Sequence, residues 1–249
     1  MVGHNTAINR IKHAARQSRL AHAYLITGPP HVGKMTIATH LAQVVNCISE
    51  FDPPCEQCGQ CKRIFLGHHS DVMIISLETN EAGRAKKEIS IDSVRTMQHA
   101  SALQPYEGDC RVFIVNGAEQ LSEEASNALL KLLEEPPPQS MFVLLASHAQ
   151  HLLPTIQSRC RLVELHPLPL EIIARALTER HSISYAEALQ LSRLSRGCPG
   201  WALSAAQDDS VLESRSKGMD QVARLTTCSI EERFGYAASL ASTFAKDRG

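Results

Sequence analysis

Cys47, Cys55, Cys58 and Cys61 form the pattern Cys-x7-Cys-x2-Cys-x2-Cys. Two-residue gaps let neighbouring thiolates face one ion, and four soft thiolates complete a tetrahedron around Zn2+. No position stays open for water or substrate, so the expected role is structural, with coupled metal binding stabilising the insertion on the order of 10 kcal/mol. Pro53 and Pro54 restrict the excursion, and Gly59 is expected to relieve crowding between two ligands. The remaining cysteines, Cys110, Cys160, Cys198 and Cys228, fall in strand or helix pattern and read as buried small apolar residues.

Gly28-Pro29-Pro30-His31-Val32-Gly33-Lys34 follows a strand pattern and opens a helical one, the place where a phosphate loop must sit. Its glycines would turn backbone N–H groups toward a polyphosphate, the helix N-terminus would add positive potential, and Lys34 would reach the β and γ phosphates. The nucleotide-binding set is therefore Gly28, Pro29, Pro30, Gly33, Lys34, Met35 and Thr36. Met35 stands where a magnesium-ligating Ser or Thr is usual, and Thr36 comes one residue late. A thioether is a poor ligand for a hard cation, so Mg2+ coordination lacks its usual support even if ATP or ADP is held. Hydrolysis also needs acids at the end of the third strand, but Asn116 and Gly117 occupy those places. Glu119 lies two residues beyond and is expected to point elsewhere. The coincidence of Met35, Asn116 and Gly117 argues against intrinsic hydrolysis.

The elements that must position these residues follow from hydrophobic period. Near-continuous apolar runs at Ala23–Thr27, Val72–Ser76, Cys110–Asn116, Met141–Ser147 and Arg161–Leu165 read as doubly covered parallel strands, alternating with helical pattern in stacked βαβ units. Ile91–Leu103 and Ser122–Glu134 are clear helices, the second with Ser122 as N-cap and Pro136, Pro137 and Pro138 as its stop. After His166-Pro167-Leu168-Pro169 the strands cease. Helical segments then cover Leu170–His181 and Ser184–Ser195, break at Gly197–Gly200, and resume near Ser210. An α/β domain over residues 1–166, with a zinc module at about 47–66, is expected before a small all-α lid over 167–208. Residues 209–249 read as the start of a further helical domain, ending within an amphipathic helix that carries Phe234, Ala237, Leu240, Ala241 and Phe244, so the chain looks cut short.

Three strings and the cysteine insertion together resemble bacterial clamp-loader AAA+ subunits: His22-Ala23-Tyr24-Leu25, the run Asn127-Ala-Leu-Leu-Lys-Leu-Leu-Glu-Glu-Pro-Pro137, and Ser158-Arg159-Cys160. The matches extend from the N-terminus to about Trp201. That resemblance implies an AAA+ P-loop fold, a helical lid, and a collar closing a five-subunit ring that opens a sliding clamp on primed DNA for the replicative polymerase. Two kinds of subunit in that family share the zinc insertion, the gamma or tau ATPase and the often degenerate delta prime. The missing acids point to delta prime, with gamma/tau and delta subunits as partners, the clamp and primed DNA reached through the complex, and no membrane. Arg159 then matches the arginine that reaches a neighbour's ATP as a finger in trans. Gly200 replaces an arginine with which ATPase members sense the γ-phosphate, and Ser147 falls where a polar sensor stands. His68 and His69, where the family often has His-Pro-Asp, read as structural because four thiolates complete the metal shell.

Composition narrows the alternatives. The 249 residues carry 25 Lys plus Arg against 26 Asp plus Glu, a formal net charge of -1. A strongly basic nucleic-acid platform is excluded, and any DNA contact by this chain alone should be local and weak. No run of about 18 apolar residues and no signal-peptide pattern occurs, so a cytoplasmic protein is expected. The competing readings are a gamma or tau ATPase, in which Thr36 and Glu119 substitute for the absent groups, and a zinc-stabilised P-loop interaction module outside replication.

Overall fold

The computed structural model describes residues 3–49, 52–78 and 86–247, with side chains as far as residue 242. Part of the cysteine insertion, residues 50–51, and the side chain of Phe244 therefore lie outside the described residues. Five parallel strands, β1 (Ala23–Thr27), β2 (Val72–Ile75), β3 (Arg111–Asn116), β4 (Ser140–Ala146) and β5 (Arg161–Glu164), form one sheet in the order β2-β3-β4-β1-β5. Each expected strand is present with its ends shifted by one residue at most. In chain order, helix α1 (Asn5–Arg16) precedes β1, and α2 (Lys34–Asn46) and α3 (Gly59–Phe65) join β1 to β2. Helices α4 (Ile91–Ser101), α5 (Glu123–Glu134) and α6 (Pro154–Gln157) fall in the next three crossovers.

Strand alternation divides the core into two layers. Ala23, Leu25, Phe113, Val115, Phe142 and Leu144 face one side with α4, α5 and α6. Tyr24, Ile26, Val112, Ile114, Val143 and Leu145 face the other with α1, α2 and α3. The central strands β1, β3 and β4 are buried on both faces, as helices on both sides require. The edge strands differ from a doubly covered reading: Leu162 of β5 is 47% exposed and Ile74 of β2 is 49% exposed, because neither has a neighbour on one side.

The Ser122 hydroxyl accepts the Ala125 N–H at 3.1 Å and caps α5, and Glu123 and Glu124 in the first turn complement the helix dipole. Past β5 the chain is helical: α7 (Leu170–His181), α8 (Tyr185–Leu194) and α9 (Pro199–Gln207) share a separate apolar cluster around Ile173, Leu177 and Leu191. Helix α10 (Asp209–Thr227) joins that cluster through Val211 and Leu212, while α11 (Ile230–Asp247) exposes Phe234 and Leu240. Among the described residues no helix is long and apolar enough to cross a membrane.

The chain leaves β1 into α2 on one face and leaves β4 toward α6 on the other. Departures to opposite faces open a crevice at the carboxyl ends of these neighbouring strands, the general position for a ligand in an open parallel sheet. The phosphate loop, the end of β3 and Ser147 all meet there.

Candidate functional site

The four cysteines of the insertion converge. Their sulfurs lie within 4.8 Å of one another, and Cys61 is buried. Zn–S bonds of about 2.3 Å in a tetrahedron place sulfurs about 3.8 Å apart, so the group could hold a metal such as Zn2+ with small adjustments. Backbone N–H groups point at the sulfurs: Cys55 N–H donates to Cys47 Sγ at 3.3 Å, Cys58 N–H to Cys55 Sγ at 3.3 Å, and Cys61 N–H to Cys58 Sγ at 3.4 Å. Such donors favour thiolate over thiol, the state a metal needs. Gly59 does not relieve crowding between ligands, since a Cβ there would meet nothing within 4 Å; it opens α3 toward solvent.

A polar network anchors α3 to the sheet. Gln60, next to Cys61, donates from Nε2 to the Glu107 carbonyl at 2.7 Å and pairs through Oε1 with His69 Nε2 at 2.7 Å. His69 Nδ1 accepts the Asp71 N–H at 3.1 Å, so Nε2 carries the proton and the ring is a structural bridge. Asp71, 2% exposed, accepts the N–H groups of Tyr106, Glu107 and Gly108 at 2.7, 2.8 and 2.9 Å, and Arg111 Nε lies 3.4 Å away. Burial alone would raise its pKa; these donors and the guanidinium reverse that and hold the carboxyl below its ordinary value.

Gly28 and Gly33 have φ of 148° and 111°, and a Cβ at Gly28 would lie 2.5 Å from the Leu165 carbonyl, so this turn requires glycine. No side chain caps α2 and no acid sits in its first turn, which leaves its positive end directed into a cleft of about 430 Å³. Lys34 and Met35 line that cleft with Thr36. Lys34 Nζ folds back on its own loop, donating to the carbonyls of Gly28 at 2.6 Å and Pro29 at 3.0 Å. Burial lowers its pKa while Glu119 pulls the other way. Met35 packs against the core on the α2 side of the sheet.

The missing acids acquire a backbone reason. Asn116 is exposed at the end of β3, and Gly117 has φ of 84°, a conformation that a glutamate would enter only under strain. The short 3₁₀ turn Ala118–Gln120 then rotates Glu119 into the cleft, against the expectation that it points away. Its Oε1 accepts the Ser147 N–H at 3.0 Å, while its Oε2 is buried with no partner among the described residues.

The helical layer closes the cleft from above. Gly200 N–H donates to the His31 carbonyl at 2.9 Å, and a Cβ at Gly200 would lie 2.9 Å from that oxygen. Where an arginine was expected, backbone therefore touches backbone. Cys198, read as a buried apolar residue, instead stands at the N-cap of α9, near enough to Lys34 for the two to affect each other's titration. Cys228 likewise caps α10, whereas Cys110 and Cys160 do pack against the core and their thiols are pushed up to about 12 by burial.

Arg159 emerges between α6 and β5, remote from these groups in sequence. Its Nη2 meets Glu134 Oε1 at 2.7 Å, and its Nη1 donates to the Thr155 carbonyl at 2.9 Å and to Ser158 Oγ at 3.3 Å. The Arg159 side chain remains 34% exposed. Two of the strings that carry the family resemblance thus meet in space, Glu134 at the end of α5 orienting Arg159. Nothing in the 24 intervening positions marks Glu134 as the partner.

Comparison with known proteins accords with this arrangement. Residues 3–169 match the family described as "DNA polymerase III, delta subunit". The chain is 32% identical over 201 residues to the DNA polymerase III subunit delta' of Bacillus subtilis, covering 81% of this chain and 58% of that one. It is 35% identical over 205 residues to the DNA polymerase III subunit tau of Salmonella typhimurium, covering 80% and 30%. The Holliday junction branch migration motor RuvB of Thermotoga maritima superposes with a TM-score of 0.52 at 15% identity, over 81% of this chain and 59% of that one, which speaks for the fold alone. The chain thus spans little more than half the length of that delta' relative. With a parallel P-loop sheet of this order, a four-cysteine insertion and a family match over residues 3–169, the chain belongs to the delta' clamp-loader family of DNA polymerase III subunits.

Proposed function

We propose that this chain acts as the delta' subunit of a cytoplasmic DNA polymerase III clamp loader, an ATPase-inactive stator that supplies Arg159 to ATP held by a neighbouring subunit. The observation that carries the reading is a contrast within one molecule: Arg159 is oriented and accessible, while the chain's own cleft has Met35, Asn116 and Gly117 where hydrolysis needs oxygen ligands and acids. Residues 1–166 would form the AAA+ domain, 167–208 the lid and 209–249 the beginning of a collar that meets gamma/tau and delta subunits. The clamp and primed DNA would be reached through the assembled complex.

The chemistry is electrostatic. A guanidinium placed at a γ-phosphate neutralises charge that develops in phosphoryl transfer, worth about 10³ to 10⁵ in rate, or roughly 4 to 7 kcal/mol of barrier. Glu134 and the Thr155 carbonyl reduce the side-chain entropy lost on docking by fixing the guanidinium beforehand. Cys47, Cys55, Cys58 and Cys61 would hold Zn2+, which supplies rigidity and no reaction step. In the chain's own cleft, Lys34 and the N-terminal turn of α2 would bind and orient the phosphates of ATP or ADP, with Gly28, Pro29, Pro30, Gly33 and Thr36 shaping the cradle.

One observation favours a second reading, a gamma/tau-type ATPase: Glu119 turns into the cleft beside Thr36. ATP turnover by the purified chain in Mg2+ separates the two. The stator reading expects none above the rate of a Lys34→Met control, and magnesium-dependent turnover would establish the ATPase reading instead.

A further inference from the structure

The carboxylate of Glu119 has no task in the stator account, yet its placement is specific. One oxygen is tied to the Ser147 N–H at the end of β4, and the other is buried without a partner among the described residues. It lines the same cleft as Lys34, and Lys34 already spends two of its donors on the carbonyls of its own loop. Neither Asn116 nor Gly117 can contribute a charge, so Glu119 is the one acid among the cleft's described lining residues.

We propose that Glu119 is a built-in counter-anion of the phosphate cleft, competing with polyphosphates for Lys34 and the N-terminal end of α2, and thereby setting a weak affinity for nucleotide. Lys34 and Glu119 line the same cleft and feel each other's charge, so for an entering phosphate the attraction to the first is offset by repulsion from the second. In a partly buried cleft, with an effective dielectric constant of about 20, charges several ångströms apart change binding by about tenfold or more. The titration pattern agrees: burial tends to raise the Glu119 pKa, but backbone donors, the Ser147 side chain and, least of these, Lys34 bring it below its ordinary value, which keeps the anion in place.

The test is calorimetric binding of ADP and of inorganic tripolyphosphate to the 249-residue chain in EDTA, comparing wild type with Glu119→Gln. The amide oxygen can still accept the Ser147 N–H, and Glu119→Ala serves as a second variant should the first melt early. Both variants should bind ADP about tenfold more tightly and gain more for tripolyphosphate, which carries more charge. Lys34→Met should abolish the gain in the Glu119→Gln background. Unchanged affinity in the variants, or no binding by any of them at millimolar ligand, would overturn the proposal and assign weak affinity to the loop itself. Weaker ADP binding by Glu119→Gln when Mg2+ is added back would also overturn it, by making Glu119 a metal ligand.

Discussion

Gly200 should tolerate no side chain, for a reason tied to the way the helical layer rests on the phosphate loop. An added Cβ would sit 2.9 Å from the His31 carbonyl oxygen, 3.3 Å from His31 Cβ and 3.4 Å from its Cα. Two of these three atoms are backbone and cannot swing aside. Overpacking of this kind costs about 1 to 3 kcal/mol, and weakening the 2.9 Å hydrogen bond from Gly200 N–H adds to it. The helix preference of alanine returns up to about 1 kcal/mol. Gly200→Ala should therefore lose about 1 to 2 kcal/mol net, a fall in Tm of about 3 to 6 °C for a chain of this size. Gly218→Ala is the counterpart: within α10, with nothing within 4 Å of the added Cβ, it should be neutral or stabilising by up to about 1 kcal/mol. Thermal melts followed by circular dichroism read both. A Gly200→Ala protein that melts at or above wild type would refute a direct contact between α9 and the phosphate loop.

Other consequences follow from the cysteine centre and its anchor. Purified chain should contain about one Zn2+, and Cys61→Ser, which removes the buried ligand, should lose it and melt earlier; full zinc retention by atomic emission would contradict a four-thiolate site. Asp71→Asn should destabilise the chain by about 2 to 4 kcal/mol near pH 7, because an amide cannot accept all three N–H donors. The sign follows from the depressed pKa: the contribution of Asp71 is fully present above the ordinary value of 3.8 and is lost as pH falls through the lower folded-state value. Denaturant melts of the two proteins should thus converge in acid, and a constant gap down to pH 2 would count against the carboxylate.

Much of the frame was legible in the residues because packing enforces period. Helices on both faces make β1, β3 and β4 apolar except at their ends, and the Ser122 cap with its following prolines brackets α5 on both ends. The convergence of Cys47, Cys55, Cys58 and Cys61 was visible in their spacing alone, and the structural role of His69 followed from a metal shell already complete. What escaped depends on backbone direction. Glu119 enters the cleft only because Gly117 takes a left-handed conformation and a 3₁₀ turn follows, a reversal that spacing does not encode. Glu134 meets Arg159 across two crossovers, and Cys198 reaches the neighbourhood of Lys34 only when α9 lies on the loop. The exposure of β2 and β5 reflects strand order, which a list of apolar runs leaves open.

The role of Arg159 is tested most directly by ATP turnover in a clamp loader assembled from the partner subunits of the same organism, with wild-type chain or Arg159→Ala. The stator account expects turnover at the interface this chain completes to fall by about 10³- to 10⁵-fold, while the variant alone keeps its melting temperature and metal content. Arg159→Lys should rescue little, since an ammonium lacks the planar fork that the Glu134 contact orients. Turnover unchanged by Arg159→Ala in a fully assembled loader would contradict the account.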